Sequence, residues 1–518
     1  MKTSAVLWVG LLVCLGPRVA AAEWLEASSA HFVVYANDSE SNLRTFSQQL
    51  ERFHAAMAFL TATRAQDPSP SNRVNIYVVG SQSQVRRLYG DVRTDVVGFY
   101  QPRAGGSIAI VSNIKVSTNE LDFSMIALLH EYAHHFMISS GGFPMPRWYS
   151  EGAAEFFSSA SFAADGSVGI GRAANHRAGE LAFARDVKVA KLLETGTSGY
   201  QPQRGDAYYG KSWLLFHYLT FNEQRKGQLT RYLQLLEQGK SSGDAGLEAF
   251  GDLERLEREL DNYLRQRQIT TLHLTPALLQ TATREVGIRR LSEAEAAMMP
   301  VRIRSRRGVT LEQARALLPE ARKVATRFPQ DPAVLSALAE AEHDAGNDRE
   351  SIAAADAALA RDPSQINAYV QKGFSLFRLA EDDPDRTAAY ARARTPFVAL
   401  NRLENDHPLP LVYYYLSFTK AGNEPSQVAL NALSRAVELA PFDPELRMML
   451  ATRQIKSGQL ASARVNLGPL AYDPHGGGLA TAAQRLLARM DSDPDWNGQD
   501  VDELLNDSVQ DDQPATPR

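Results

Sequence analysis

The segment Ile126-Ala-Leu-Leu-His-Glu-Tyr-Ala-His-His-Phe136 holds two histidines and a glutamate in the arrangement His130-Glu131-x-x-His134. Residues four apart lie nearly above one another on a helix, so both imidazoles can reach a single ion. Glu131 falls about 100° round the same helix, beside such an ion rather than on it. A carboxylate there can hold a water molecule and take its proton. Leu128, Leu129, Phe136 and Met137 give the helix the apolar contacts that fix this geometry. The chemistry that suits the pattern is metal-assisted hydrolysis, in which zinc takes three protein ligands and keeps one position open.

A third histidine placed as in the metzincins would need Gly at 137 and His at 140, but Met137 and Ser140 stand there. The other source is Ser150-Glu151-Gly-Ala-Ala-Glu155, entering a helix after the loop Gly141-Gly-Phe-Pro-Met-Pro146. Glu151 and Glu155 share a helix face. One can bind the ion while the other accepts the free ring N–H of a ligand histidine and fixes its tautomer. Gly152, Ala153 and Ala154 allow this helix to approach the first one closely.

These motifs resemble the gluzincins, the peptidase superfamily of thermolysin and the aminopeptidase N group, in which an HExxH helix precedes a helix bearing a glutamate ligand. Tyr149-Ser-Glu-Gly-Ala-Ala-Glu155 is similar to that second motif. The resemblance implies a Zn²⁺ cofactor held by His130, His134 and Glu151, with Glu155 supporting a ligand histidine from behind. Tyr209-Gly-Lys-Ser-Trp-Leu-Leu-Phe216 is similar to the stretch whose tyrosine stabilises the oxyanion in the aminopeptidase branch. That implies the oxyanion role for Tyr209, with Tyr208 as its alternative. The likeness covers roughly residues 30–265. Two departures count against an aminopeptidase. The gap from His134 to Glu151 is slightly short, and the Gly-x-Met-Glu-Asn segment is replaced by Gly106-Ser-Ile-Ala-Ile110. An endopeptidase is expected, with Ile108 to Val111 as an edge strand that pairs with an extended protein or peptide substrate. His135, His217, Trp148 and Tyr149 read as packing residues, and the Arg302 to Arg307 run as a solvated face.

The elements that must carry these residues form an α+β unit. His31 to Ala36, Val74 to Val79, Val96 to Tyr100 and Ile108 to Val111 read as strands, the last two joined through Gly105-Gly106. Asn42 to Leu60 reads as an amphipathic helix with Leu43, Phe46, Leu50, Phe53 and Met57 on one side. Beyond Thr118 the pattern turns helical to about Arg267, including Tyr208 to Phe221 and Leu253 to Leu264. Leu272 to Leu274 and Val301 to Arg304 read as short strands of a connector.

From Leu311 to Met490 the chain repeats itself. Asp331-Pro332, Asp362-Pro363, Asp443-Pro444 and Asp473-Pro474 each follow a helical stretch, and alanines cluster at Ala353 to Ala358 and Ala432 to Ala436. Within the first two and within the last two of these pairs the spacing is close to the tetratricopeptide period of about 34 residues. The block resembles tetratricopeptide repeats, with a degenerate unit around Glu381 to Pro408, which implies a groove for a peptide or partner protein. The expected order is a leader at 1–22, a gluzincin-like domain of mixed sheet and helical lobe at 23–268, a connector at 269–310, a helical solenoid at 311–490 and an acidic disordered tail at 491–518.

Composition narrows the function classes. At 518 residues, two or three domains are expected. A formal net charge of −5 gives no footprint for nucleic acid. Lys2, the apolar run Ala5 to Leu15 and Ala20-Ala21-Ala22 read as a secretory leader cleaved after Ala22, which places the mature chain in the periplasm or outside the cell. No later stretch is long enough to span a bilayer. The single cysteine, Cys14, lies in that leader, so the mature chain has no disulfide, thiolate ligand or cysteine nucleophile. A second reading remains beside the peptidase: an exported scaffold that acts through its repeats and keeps the metal for structure.

Overall fold

The computed structural model describes residues 23–63, 67–90, 96–114, 121–140, 145–194, 202, 205–280, 285–473 and 476–510. The leader reading, with Cys14, lies outside these residues, as does the Gly141 to Pro144 part of the loop before Glu151.

The chain opens with β1 (Leu25–Ser28) and β2 (Phe32–Ala36), then α1 (Glu40–Leu60), β3 (Val74–Val78), α2 (Gln82–Tyr89), β4 (Gly98–Gln101) and β5 (Ile108–Val111). Ser39 caps α1 by accepting from the Asn42 N–H. The helix returns the chain so that β2 and β3 run parallel, with Phe32 opposite Val74. Six strands form one sheet in the order β4-β5-β3-β2-β1-β9, β9 being Gly287–Arg290. β5 therefore lies between β3 and β4, and the expected edge strand Ile108 to Val111 is an interior one. The free edge on that side is β4.

Every residue of β2 and β5 is buried, because both faces of the sheet are covered. One face meets α1 and the helix α3 (Phe123–Ser140), with Leu50, Phe53, Ile76, Leu129 and Phe136 in a shared core. The other face places Val33, Tyr35, Tyr77 and Ile110 against α12 (Glu293–Arg306), through Met299 and Ile303.

A helical lobe follows α3. It comprises α4 (Arg147–Ser158), α5 (Ala178–Phe183), α6 (Val189–Leu193), α7 (Tyr208–Phe221), α8 (Gln228–Glu237), α9 (Ser242–Phe250) and α10 (Leu253–Leu264). A small sheet, β6 (Ser161–Phe162), β7 (Val168–Ile170) and β8 (Leu272–Leu274), closes it, followed by the short α11 (Pro276–Leu279).

Residues 269–310 are thus more than a connector. β8 and β9 complete the two sheets, and Val301 to Arg304 lies in α12 rather than in a strand. Nor is Arg302 to Arg307 a solvated face. Arg302 stacks over the Tyr35 ring at 4.6 Å and donates to its hydroxyl at 3.0 Å. Buried Arg307 donates to the Leu88 carbonyl at 2.6 Å.

Paired helices fill the rest: α13 (Leu311–Arg327), α14 (Pro332–Asp344), α15 (Asp348–Arg361), α16 (Ile366–Leu379), α17 (Arg386–Ala393), α18 (Thr395–Leu403), α19 (Pro408–Thr419), α20 (Gln427–Leu439), α21 (Pro444–Lys456), α22 (Leu460–Ala471), α23 (Gly478–Ser492) and α24 (Val501–Gln510). Asp331 and Asp443 cap α14 and α21 through their carboxylates, each followed by a proline whose missing N–H is no loss in the first turn. In the degenerate unit the second helix is split into α17 and α18. The stack begins earlier than 311, since α12 pairs with α13 and packs on α14. It also ends later. Trp496 is 3% exposed and Val501 1%, both packed with Leu486 and Met490, so the first part of the expected tail packs on the last repeat helices, while its 511–518 part lies outside the described residues. Among the described residues no helix is long and apolar enough to cross a membrane.

Candidate metal centre

α3 starts at an Asp122 carboxylate that accepts the Met125 N–H at 2.9 Å. Leu128, Leu129, Ala133, Phe136 and Met137 are buried, which sets the rotation of the helix and turns His130 and His134 together towards α4. Nearly all of α4 is buried too, and it packs against both α3 and α7. Gly152 is what permits this. A Cβ there would lie 2.5 Å from the Ser212 carbonyl oxygen and 2.9 Å from its carbon, both in the α7 backbone. Gly152→Ala is therefore expected to cost about 1–3 kcal/mol by overpacking and to push Glu151 off its position. Thermal unfolding with and without added metal checks both effects.

The three expected ligands meet. His130 Nε2 and His134 Nε2 are 3.1 Å apart, and Glu151 Oε2 is 3.2 Å from the first and 3.4 Å from the second. Ligands placed tetrahedrally at about 2.0–2.1 Å from an ion are separated by about 3.3 Å. The spacing therefore fits one small divalent cation without rearrangement. Among the described residues these are the one group of three donors close enough to hold a metal ion. Glu151 is 1% exposed, and its other oxygen, Oε1, is buried without a hydrogen-bond partner. Burial alone would raise this carboxyl, but hydrogen bonds from His130 and His134 hold it far below the usual range. Burial likewise disfavours the His130 cation, yet hydrogen bonds to Glu151 and Glu155 outweigh that and push it up to about 10. The pocket is thus built to hold positive charge.

Each of the two histidines is oriented through its other nitrogen. His130 Nδ1 lies 3.3 Å from Glu155 Oε1, and His134 Nδ1 lies 3.1 Å from Ser150 Oγ. Glu155 is fully buried, and its neighbours keep it ionised. His176 Nε2 is 2.6 Å from Oε2, while Arg177 donates to Oε1 from Nε at 3.0 Å and from Nη2 at 2.6 Å. Burial would raise this carboxyl, and His130, His176 and Arg177 hold it well below its ordinary value. Glu155→Gln is expected to weaken metal binding by roughly 10–100-fold, measured by calorimetric titration, with the fold retained.

The same arginine ties in α7. Arg177 also donates to Glu180 at 2.7 Å, Glu180 accepts the Gly210 N–H at 3.1 Å, and the guanidinium sits over the Tyr209 ring at 4.8 Å. Burial raises the Tyr209 hydroxyl, as does the neighbouring Glu151 charge, while Arg147 beside it lowers it. The Glu151 charge is thus felt at the Tyr209 hydroxyl. Tyr208 is fully buried against Arg147, at 5.7 Å. Glu131 is half-buried, and its charge is felt at Tyr100 on β4.

The remaining readings sort cleanly. His135 faces away from the ligands, with Nδ1 2.5 Å from the Tyr100 hydroxyl, and burial drives it down to about 3. His217 is enclosed by the Gly171 and Thr270 carbonyls and the Tyr263 hydroxyl. Trp148 is fully buried, donating to the Tyr232 hydroxyl at 2.9 Å. Sequence reasoning missed Ser150, His176, Arg177, Glu180 and Arg147, whose Nε lies 4.0 Å from Glu151 Oε1. Ser150 was visible beside Glu151. The pair His176-Arg177 carries no spacing that points to α4.

A family model described as a protein of unknown function, DUF1570, matches residues 124–240, the stretch from α3 through α8 that carries His130, Glu131, His134, Glu151, Glu155 and Tyr209. No curated protein matches the chain. Among solved structures, a thermophilic TPR protein from Thermus thermophilus is 18% identical, with 39% of this chain and 92% of that one covered and a TM-score of 0.28. MamA from Desulfovibrio magneticus is 17% identical, with 34% and 92% covered and a TM-score of 0.27.

Proposed function

We propose that the chain is a zinc-dependent peptidase that hydrolyses amide bonds in a protein or peptide substrate, an endopeptidase rather than an aminopeptidase. The observation that carries this reading is the near-tetrahedral spacing of His130 Nε2, His134 Nε2 and Glu151 Oε2, and the sequence sets Glu131 next to the first of them. A purely structural site has no use for that acid, and it is usually closed by a fourth protein ligand.

His130, His134 and Glu151 hold the ion, and Glu155 and Ser150 keep the two rings in the tautomers that leave Nε2 free to bind. Bound there, zinc supplies Lewis acidity to the scissile carbonyl and to water. Glu131 takes the proton of the attacking water and passes it to the leaving amine. Tyr209 donates a hydrogen bond to the oxyanion, its hydroxyl kept protonated by burial. The repeat block serves a protein partner or substrate. The leader reading, Lys2 followed by the Ala5 to Leu15 run, supports export to the periplasm or beyond, and N-terminal sequencing of the mature protein should begin at Glu23.

Purified full-length protein should carry one zinc per chain and cleave within a mixture of denatured protein substrates. Cleavage should stop on chelation and return with added zinc. A zinc-loaded chain that cleaves nothing in such a mixture argues for the scaffold instead.

A further inference from the structure

The turn between β4 and β5 reaches into the repeat block. Gly105 and Gly106 have φ of +76° and +122°, and a side chain on Gly105 would lie 2.9 Å from Leu409 and 3.1 Å from His407, at the start of α19. Ala104 is buried among Val412, Tyr415, Phe442 and Leu446. Its N–H donates to Asp443 Oδ2 at 2.7 Å. Arg103 donates to the Arg306 carbonyl at the end of α12 and lies in the field of Glu340 and Asp344 on α14. The contacts come from the end of α12 and from α19 and the start of α21, helices that lead their pairs. Stacked helix pairs present extended surfaces of the kind that hold a segment of chain.

The same hairpin bears on the metal helix. Tyr100 of β4 has its hydroxyl 2.5 Å from His135 Nδ1, one residue beyond His134. The repeat block also touches α3 directly, with the Phe442 ring 4.4 Å from that of His135 and Ile138 packed into the repeat cluster.

We infer that the leading helices of the repeat block are a receptor for this chain's own Arg103-Ala-Gly tip and that seating the tip fixes the position of α3. The consequence for catalysis rests on the zinc reading; the coupling itself does not. Ala104→Glu sets a carboxylate against Asp443 and expels the tip. Asp443→Ala removes the acceptor for the Ala104 N–H, whereas Asp443→Asn keeps one. Asp331→Ala deletes an equivalent helix cap, at the other end of α14 from Glu340 and Asp344, where Asp331 accepts the Ala333 and Val334 N–H groups.

Hydrogen exchange is measured on these full-length variants without zinc. Ala104→Glu and Asp443→Ala should speed exchange about tenfold or more in both the hairpin and α3, while Asp443→Asn and Asp331→Ala leave α3 unchanged. A synthetic peptide of residues 99–110 should bind Ala104→Glu at least about tenfold more tightly than the wild type, whose groove is filled. The inference is overturned if the hairpin loosens and α3 does not, if Asp331→Ala loosens α3 as much as Asp443→Ala, or if the peptide binds both proteins alike. Because zinc is absent throughout, failure of the metal reading would show only in the metal and cleavage assays.

Discussion

Glu131→Gln should abolish peptide cleavage while leaving zinc in place. The residue stands next to His130 on α3 but contributes no atom to the three-donor cluster, so one zinc per chain should remain. Glutamine keeps the size of the side chain and loses the basic oxygen. Removing a general base in such a position costs about 10²–10⁴-fold in rate. The measurement is kcat on a defined peptide with zinc content determined on the same sample. A loss of zinc in parallel would make Glu131 a structural residue, and full activity with zinc bound would remove hydrolysis from the account.

Glu151→Ala should do the converse and remove the metal. Its carboxylate bridges both imidazoles, at 3.2 and 3.4 Å, and is 1% exposed. Without it two histidines remain, and His130 loses the first of the two carboxylates that stabilise its charge. The loss of affinity should exceed the roughly 10–100-fold expected for a supporting group such as Glu155. A ligand that binds only the native state stabilises it by about 2.7 kcal/mol at a hundredfold excess over Kd. Zinc should therefore raise the unfolding temperature of the wild type and leave that of Glu151→Ala unmoved. An equal response in both proteins would place the ion elsewhere.

What could be read from the sequence follows the range of the physics involved. Helical periodicity is local, so α3, α4, α7 and α10 and the shared face of His130 and His134 were legible residue by residue. The carboxylate that meets the two histidines was legible for the same reason, being on the next helix with small residues at Gly152 to Ala154 to let it close in. Non-local pairing was not. β4 lies outside β5 because the hairpin turns outward at Gly105-Gly106, and nothing in Ile108 to Val111 distinguishes an interior strand from an edge. The role of α12 was hidden because a run of arginines reads as solvated until Tyr35 and the Leu88 carbonyl are brought against it. Acidic composition concealed α24, whose Val501, Leu504 and Leu505 pack with Trp496. The support of Glu155 by His176 and Arg177 arises only once the chain folds back through β6 and β7 to α4.

The ion itself gives the most direct test. Crystals of the full chain soaked in zinc, with anomalous differences recorded on either side of the zinc absorption edge, should show one strong peak within about 2.0–2.1 Å of His130 Nε2, His134 Nε2 and a Glu151 oxygen. A peak held by other side chains, or none at all beside these three, would contradict the account at its root.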